Sequence, residues 1–301
     1  MNAGWDRMDR RKLTRLLAAL AAAALVLLGG IELYRRQGTP VPVLMYHHFM
    51  DVDSSDVDTI VTVKRFREQL LALKAAGYTP VDPFEIADHV ENGTPLPDKP
   101  VLITMDDGYI SNLELAAPVL EECGMKATVF VIGATVGRTT YPGSETVLDP
   151  PRFSWEQVRP WVEKGVLCVQ SHTYEMHHRS GGEWDRDGVL QKPGEGERDY
   201  RAALTADVER AKSELEDNLD VPLIAVAFPY GLWSRTAVQQ FRQAGVKLTF
   251  TTHYGCSRVR QGKAGSMQVL DRWWIGDDIT GVQLVEGLEK IERRAVCRGG
   301  F

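Results

Sequence analysis

No two cysteines of this chain form a CxxC pair. Cys123, Cys168, Cys256 and Cys297 are far apart, which excludes the paired-thiolate spacing of a structural zinc site. Cys123 and Cys168, set among apolar neighbours, read as small buried hydrophobes. An excess of positive charge is also missing. A formal net charge of −6 over 301 residues offers no basic face for nucleic acid. Solenoid-type repeats and long low-complexity tracts are absent, which excludes stacked-repeat architectures. Histidine is scarce, seven residues in all, yet three of them fall within QSHTYEMHH, residues 170–178.

What is present begins with an asymmetric N-terminus. Arg7, Arg10, Arg11, Lys12 and Arg15 precede LLAALAAAALVLLGGI, an uncharged run from Leu16 to Ile31. A basic flank before an apolar core marks a signal-anchor or a signal peptide, and no clean small-x-small cleavage site favours the peptide. Positive charge ahead of the run predicts the N-terminus inside and the remainder outside the cytoplasm. The organisation expected is a basic cytoplasmic segment (1–15), a transmembrane or signal helix (16–33), a tether (34–40) and one large domain (41–295). That domain would sit at the cell membrane on a single pass, or be secreted if the segment is cleaved.

Past residue 40, short apolar runs alternate with helical patterns. VPVLMYHHF reads as a buried strand, and the following helix has Thr62 as its N-cap and Gly77 as its stop. KPVLITMDDGY, APVLEECGMKATVFVIG and SWEQVRPWVEKGVLCVQSH repeat the arrangement. A helix over residues 205–218 leads into PLIAVAFPYG, TAVQQFRQAGVKLTFTT adds a further helix and strand, and VQLVEGLEKIERR closes the pattern as a helix. Strand and helix alternating at least six times predict an α/β fold with a parallel sheet, curled as a distorted (β/α) barrel. The polar clusters MDDGY, SHTYEMHH and PYG all follow strands, where a barrel gathers side chains on its C-terminal rim. Segments 135–151 and 179–199 are long for connections and would overhang that rim.

Asp106 and Asp107 are adjacent at a strand end. Strand neighbours point to opposite sides, so two different roles are expected of them, although Asp-Asp-Gly is also a good turn. His172 and His177 are five apart, a spacing that shares no helix face but lets both aim at one point from a turn. Two imidazoles and one carboxylate suit a zinc site with an open position. His178 is the alternative to His177, and solvated loop histidines are the plain reading of the cluster.

In that order and at those intervals, ITMDDGY, SHTYEMH and FPYG resemble the metal-dependent polysaccharide deacetylases, carbohydrate esterase family 4. VPVLMYHHF, FREQLLALKAAGYTPV and LTFTTHYG resemble the secreted branch related to poly-N-acetylglucosamine deacetylases. The likeness runs over roughly residues 40–290. It implies a metal triad of Asp107, His172 and His177, with Asp106 as catalytic base. It implies Tyr230 as the oxyanion donor through its amide, since Pro229 has no N–H to offer. His47 would be the general acid, with His48 as its competitor and His253 as a remote candidate. Many relatives carry an arginine two residues before the Pro-Tyr pair, where this chain has Ala227. Arg272 is expected to supply that charge from another strand, a surface pair with Asp271 being the plainer alternative. The late Leu-x-His motif of many relatives is also missing. Trp233, Trp273 and Trp274 read as acetyl-pocket or sugar-stacking residues, or as core.

The resemblance thus implies hydrolysis of N-acetyl groups on an N-acetylglucosamine-containing envelope polymer or exopolysaccharide, releasing acetate. The divalent ion would be Zn2+, with Co2+ or Ni2+ as substitutes. Alternative substrates are peptidoglycan or chitin oligosaccharides. A membrane-anchored carbohydrate-binding protein with impaired turnover is the alternative from another class. The expected partners are the polysaccharide and, through the N-terminal helix, the membrane; nucleic acid is not among them.

Overall fold

The computed structural model describes residues 13–24, 38–54, 56–179 and 186–296. Its centre is a parallel sheet built from β2 (Val43–Tyr46), β6 (Pro100–Asp106), β7 (Ala127–Val131), β8 (Leu167–Ser171), β9 (Ala225–Ala227), β10 (Leu248–Phe250) and β12 (Trp273–Trp274). The strand order is β10-β9-β8-β7-β6-β2-β12, with β5 (Thr79–Pro80) alongside the start of β6. The sheet curls until one short segment meets both of its edges. Trp273 and Trp274 pair with Leu44 and Met45 of β2, while Leu270 bridges Phe250 of β10. On the β10 side the seam holds through Leu270 N–H to Thr249 O at 2.8 Å and Thr251 N–H to Leu270 O at 2.9 Å.

Alternation along the strands divides the apolar residues between two faces. Leu44, Tyr46, Ile103, Met105, Val129 and Val131 join the core beneath the helices. Val43, Leu102, Phe130, Ala225, Leu248 and Phe250 fill the inside of the curl. Outside pack α2 (Val63–Ala75), α4 (Ala117–Cys123), α5 (Trp155–Glu163), α6 (Glu197–Leu219), α7 (Arg235–Gln243) and α8 (Gly281–Arg293), with α3 (Pro83–Asn92) beside β5. Thr62 caps α2 as expected, its hydroxyl accepting the Arg65 N–H, a cap worth about 1 kcal/mol. Packed beside α2, α8 carries Gly287 so close to the sheet that a Cβ there would lie 2.0 Å from the Trp273 ring.

Three sequence expectations change. The strand expected over VPVLMYHHF is three short pieces, β1 (Thr39–Val41), β2 and β3 (His48–Met50); Pro42, which has no N–H for a ladder, sits at the first break. The helix expected over 205–218 begins at Glu197, where Glu197 and Asp199 complement the helix N-terminus. The membrane helix expected over 16–33 is not borne out among the described residues, where no helix is long and apolar enough to cross a membrane. Within that expectation, residues 16–24 are helical, as part of α1 (13–24). Residues 25–33 of that expectation lie outside the described residues.

Candidate active site

Strand β6 delivers the first two groups. Alternation with Leu102 and Thr104 turns Asp106 into the curl, where it is buried. Asp107 then leaves the strand with φ 73°. This left-handed step, which Asp tolerates better than most residues, overturns the expectation that the two carboxylates face apart. Both approach one imidazole: His172 Nε2 lies 3.9 Å from Asp106 Oδ2 and 3.7 Å from Asp107 Oδ1.

Strand β8 delivers His172, whose Nδ1 lies 2.7 Å from the Ala227 carbonyl oxygen. A carbonyl only accepts, so Nδ1 carries a proton and Nε2 is the ring nitrogen turned toward the carboxylates. His177 returns to the same point from the following turn, with Nε2 3.4 Å from Asp107 Oδ1. Two donors about 2.0–2.1 Å from a tetrahedral zinc stand about 3.3 Å apart, close to these separations. Among the described residues, Asp107 Oδ1 is buried without a hydrogen-bond partner. A buried anionic oxygen facing two imidazole nitrogens is the environment a divalent cation completes, so Asp107, His172 and His177 fit such an ion. Burial lowers the His177 pKa to about 4, outweighing the opposing pull of Asp107, so its imidazole is neutral and ligand-ready across ordinary pH.

Asp106 is held from across the sheet. Arg272 is 1% exposed and donates Nη1 to Asp106 Oδ1 at 2.7 Å and Nη2 to Asp106 Oδ2 at 2.8 Å. Its Nε donates to Thr251 O at 2.8 Å. Burial alone would raise the Asp106 pKa; Arg272 and then His172 overturn that and hold it below the ordinary carboxylate value. Arg272 thus reaches Asp106 from another strand and is buried, rather than forming a surface pair with Asp271. Asp271 faces His253 instead, with Oδ1 3.2 Å from Nδ1.

The competing histidines separate as well. His47 is half-buried, stacked on Trp274 with ring centroids 5.0 Å apart. Burial lowers its pKa, while Asp106 and Asp107 pull it upward. His48, the next residue, turns to Ser111 Oγ at 2.8 Å and to the Tyr109 ring. His178 is outside the Asp–His–His cluster. Tyr230 adopts φ 58°, its ring centroid is 4.7 Å from that of His177, and its hydroxyl is 3.3 Å from His177 Nδ1. Trp274 is exposed on the rim, whereas Trp273 and Trp233 pack against the core.

Beside the cluster opens a cavity of about 190 Å³, lined by Asp107, Tyr109, Tyr141, His177 and Tyr230 among others. A larger one, about 520 Å³, lies across the His177 loop and shares Glu175 and His178 with it. Of the two, only the smaller cavity reaches the Asp–His–His cluster. Sequence reasoning missed Tyr109, Tyr141 and Asp207. The last had a signal: it is an acid in the apolar stripe Leu204, Val208, Ala211 and Leu215 of α6.

The fold and the cluster together define an α/β protein with a candidate metal centre at the C-terminal ends of its parallel strands. Residues 93–249 match the family model for polysaccharide deacetylase, and the chain belongs to that family. It is 25% identical over 234 residues to the poly-β-1,6-N-acetyl-D-glucosamine N-deacetylase of Escherichia coli (strain K12), covering 72% of this chain and 34% of that protein. The chain therefore spans about a third of the length of these E. coli relatives. Among solved structures it is similar to IcaB from Ammonifex degensii, with 29% identity, a TM-score of 0.65, and coverage of 83% of this chain and 97% of that one. A de-N-acetylase from Aggregatibacter actinomycetemcomitans shares the fold at TM-score 0.70 and 20% identity, over 83% of this chain and 100% of its own.

Proposed function

We propose that this protein hydrolyses N-acetyl groups from an N-acetylglucosamine-containing polymer, releasing acetate and leaving a free amine. The observation that carries the reading is the meeting of Asp107, His172 and His177 beside an Asp106 kept ionised by Arg272, in a chain of the polysaccharide deacetylase family. Relatives named as poly-β-1,6-N-acetyl-D-glucosamine N-deacetylases support the substrate class.

Asp107, His172 and His177 would hold a divalent ion, Zn2+ in this reading. Such an ion supplies a Lewis acid that polarises the acetyl carbonyl and acidifies a water. Asp106 accepts the proton of the attacking water as the new carbon–oxygen bond forms. The Tyr230 N–H donates to the carbonyl oxygen as it gains charge, in a backbone conformation fixed by Pro229 before it. His47 gives a proton to the nitrogen as the carbon–nitrogen bond breaks, since an unprotonated sugar amide is a hopeless leaving group. The Trp274 ring limits how His47 can turn. The small cavity reaches Asp107, His177 and Tyr230, so in this reading the acetamido group enters it while the polymer stays outside. In the same reading the enzyme works on the cell envelope, with the N-terminal segment as its anchor or export signal.

The test is acetate release by the full chain, stripped of metal and reloaded with Zn2+, from β-1,6- and β-1,4-linked N-acetylglucosamine oligomers and peptidoglycan fragments. Asp106→Asn is the control. Zinc-dependent release that disappears in the variant is expected, fastest on the β-1,6 oligomer. No release from any of these by a protein that binds zinc stoichiometrically would replace the enzyme with a carbohydrate-binding protein.

A further inference from the structure

The turn that carries both histidines is tied down by a carboxylate with no part in the reaction above. Asp207 on α6 is 7% exposed. Its Oδ1 accepts the Tyr174 N–H at 2.9 Å and its Oδ2 accepts the Glu175 N–H at 2.8 Å. Those amides stand two residues after His172 and two before His177, so the carboxylate grips the midpoint of the span between them. Thr173, just before, has φ 72°, a conformation a β-branched residue keeps only when its surroundings hold it there. Its hydroxyl accepts the Met176 N–H at 3.2 Å, closing the turn from within.

An apolar residue would suit this place on α6 better, because the neighbours in the stripe are Leu204, Val208 and Ala211. Burial pushes the Asp207 carboxyl up to about 6, against the two backbone N–H groups that favour its charge. A buried charge compensated mainly by amides of one loop is unfavourable for packing alone. The loop is what gains by it.

We infer that Asp207 is a positioning residue that pre-sets the His172–His177 turn, holding both Nε2 atoms toward Asp107 Oδ1 and thereby setting the metal affinity of the triad. This rests on the reading of the triad as a metal centre. Outer partners of metal ligands commonly contribute about 10- to 100-fold in affinity. Here the partner acts on the backbone between two ligands rather than on an imidazole.

The experiment compares wild type with Asp207→Asn and Asp207→Ala in the full chain. Asn keeps the size but turns one acceptor into a donor, leaving one N–H unpaired; Ala removes both acceptors. Zn2+ affinity is measured by chelator competition, coordination by the visible spectrum of the Co2+-loaded protein, and folding by thermal melting. A loss of about 10- to 100-fold in Zn2+ affinity for Asn, and no smaller for Ala, with an altered Co2+ spectrum, is expected. Activity should recover in large part at saturating Zn2+, as a KM-like effect of metal. Folded variants binding Zn2+ within twofold of wild type would overturn the inference. Wild type supplies an independent check should the variants fail to fold. The Tyr174 and Glu175 amides must resist hydrogen exchange in the metal-free protein, and protection that arises only on adding Zn2+ would overturn the inference. If wild type binds no Zn2+ at all, the metal-centre reading falls and this inference with it. Zn2+ binding by wild type that Asp207→Asn leaves intact removes this inference alone.

Discussion

Replacing Arg272 with methionine tests the core of the site, because it removes a charge and leaves most of the volume. In the native protein the guanidinium meets both oxygens of Asp106, at 2.7 and 2.8 Å, with neither side chain more than 2% exposed. Removing one partner of such a buried pair costs about 3–5 kcal/mol, since the other charge stays uncompensated. At about 2–4 °C per kcal/mol for a chain of this order of size, the melting temperature should fall by roughly 6–20 °C. Asp106 has one escape, which is to take up a proton. Burial already drives its pKa upward, and the chief opposing influence is then gone. A carboxyl protonated at neutral pH cannot act as a base, so acetate release should drop by about 10²–10⁴, and any residual rate should rise only at higher pH than in wild type. Arg272→Met combined with Asp106→Asn separates stability from catalysis: the double variant should regain most of the lost stability while remaining inactive. The assays are thermal melting and acetate release as functions of pH. A single variant as stable as wild type, with an unchanged pH–rate profile, would refute the argument.

Three further outcomes follow from the geometry. His177, with its pKa lowered by burial to about 4 against about 6.5 in the unfolded chain, should bind its proton in the metal-free native protein only near pH 4. The unfolded state takes that proton first, so the stability due to this group is complete above about pH 6.5 and is lost as pH falls toward 4. The melting-temperature difference between wild type and His177→Gln, followed over that range, should shrink as the medium becomes acidic. In the second, His47→Ala should lower acetate release by about 10²–10⁴ while leaving Zn2+ retention unchanged, and His48→Ala should leave the rate within a few-fold. The reverse result would move the proton donor to His48. Lastly, Gly287→Ala puts a methyl group 2.0 Å from the Trp273 ring, an overpacking that should cost about 1–3 kcal/mol in urea unfolding.

Much of this site was legible in the chain because its residues lie where strands end. KPVLITMDDGY reads as a buried strand followed by polar groups, and β6 does run from Pro100 to Asp106. The triad was readable for the same reason, since a turn leaving β8 brings His172 and His177 back to one point. Alternation misled at Asp107, because a strand rule says nothing of a left-handed step just beyond the strand. The partner of Asp106 was harder, for Arg272 stands 166 residues away, and only sheet topology brings them together. Choosing between His47 and His48 likewise required knowing which side of β2 and β3 faces the curl. Asp207 was missed although its acid stands in an apolar stripe, since a helical pattern reveals an exception without revealing what it serves.

The seam made by residues 270–274 joins the two sheet edges and carries Arg272 between them. Closing the curl therefore also brings Arg272 to Asp106, as that carboxylate is taken out of water. A chain cut before residue 270 keeps Asp106, Asp107, His172 and His177 but lacks the guanidinium that pairs with Asp106. During synthesis the strands that carry Asp107, His172 and His177 emerge first and the seam comes late, so under the proposed function a growing chain would gain its metal ligands before its activity. In refolding, zinc uptake and the return of hydrolysis should then be separable in time. The interval between them would be a clock for the final closure of the sheet.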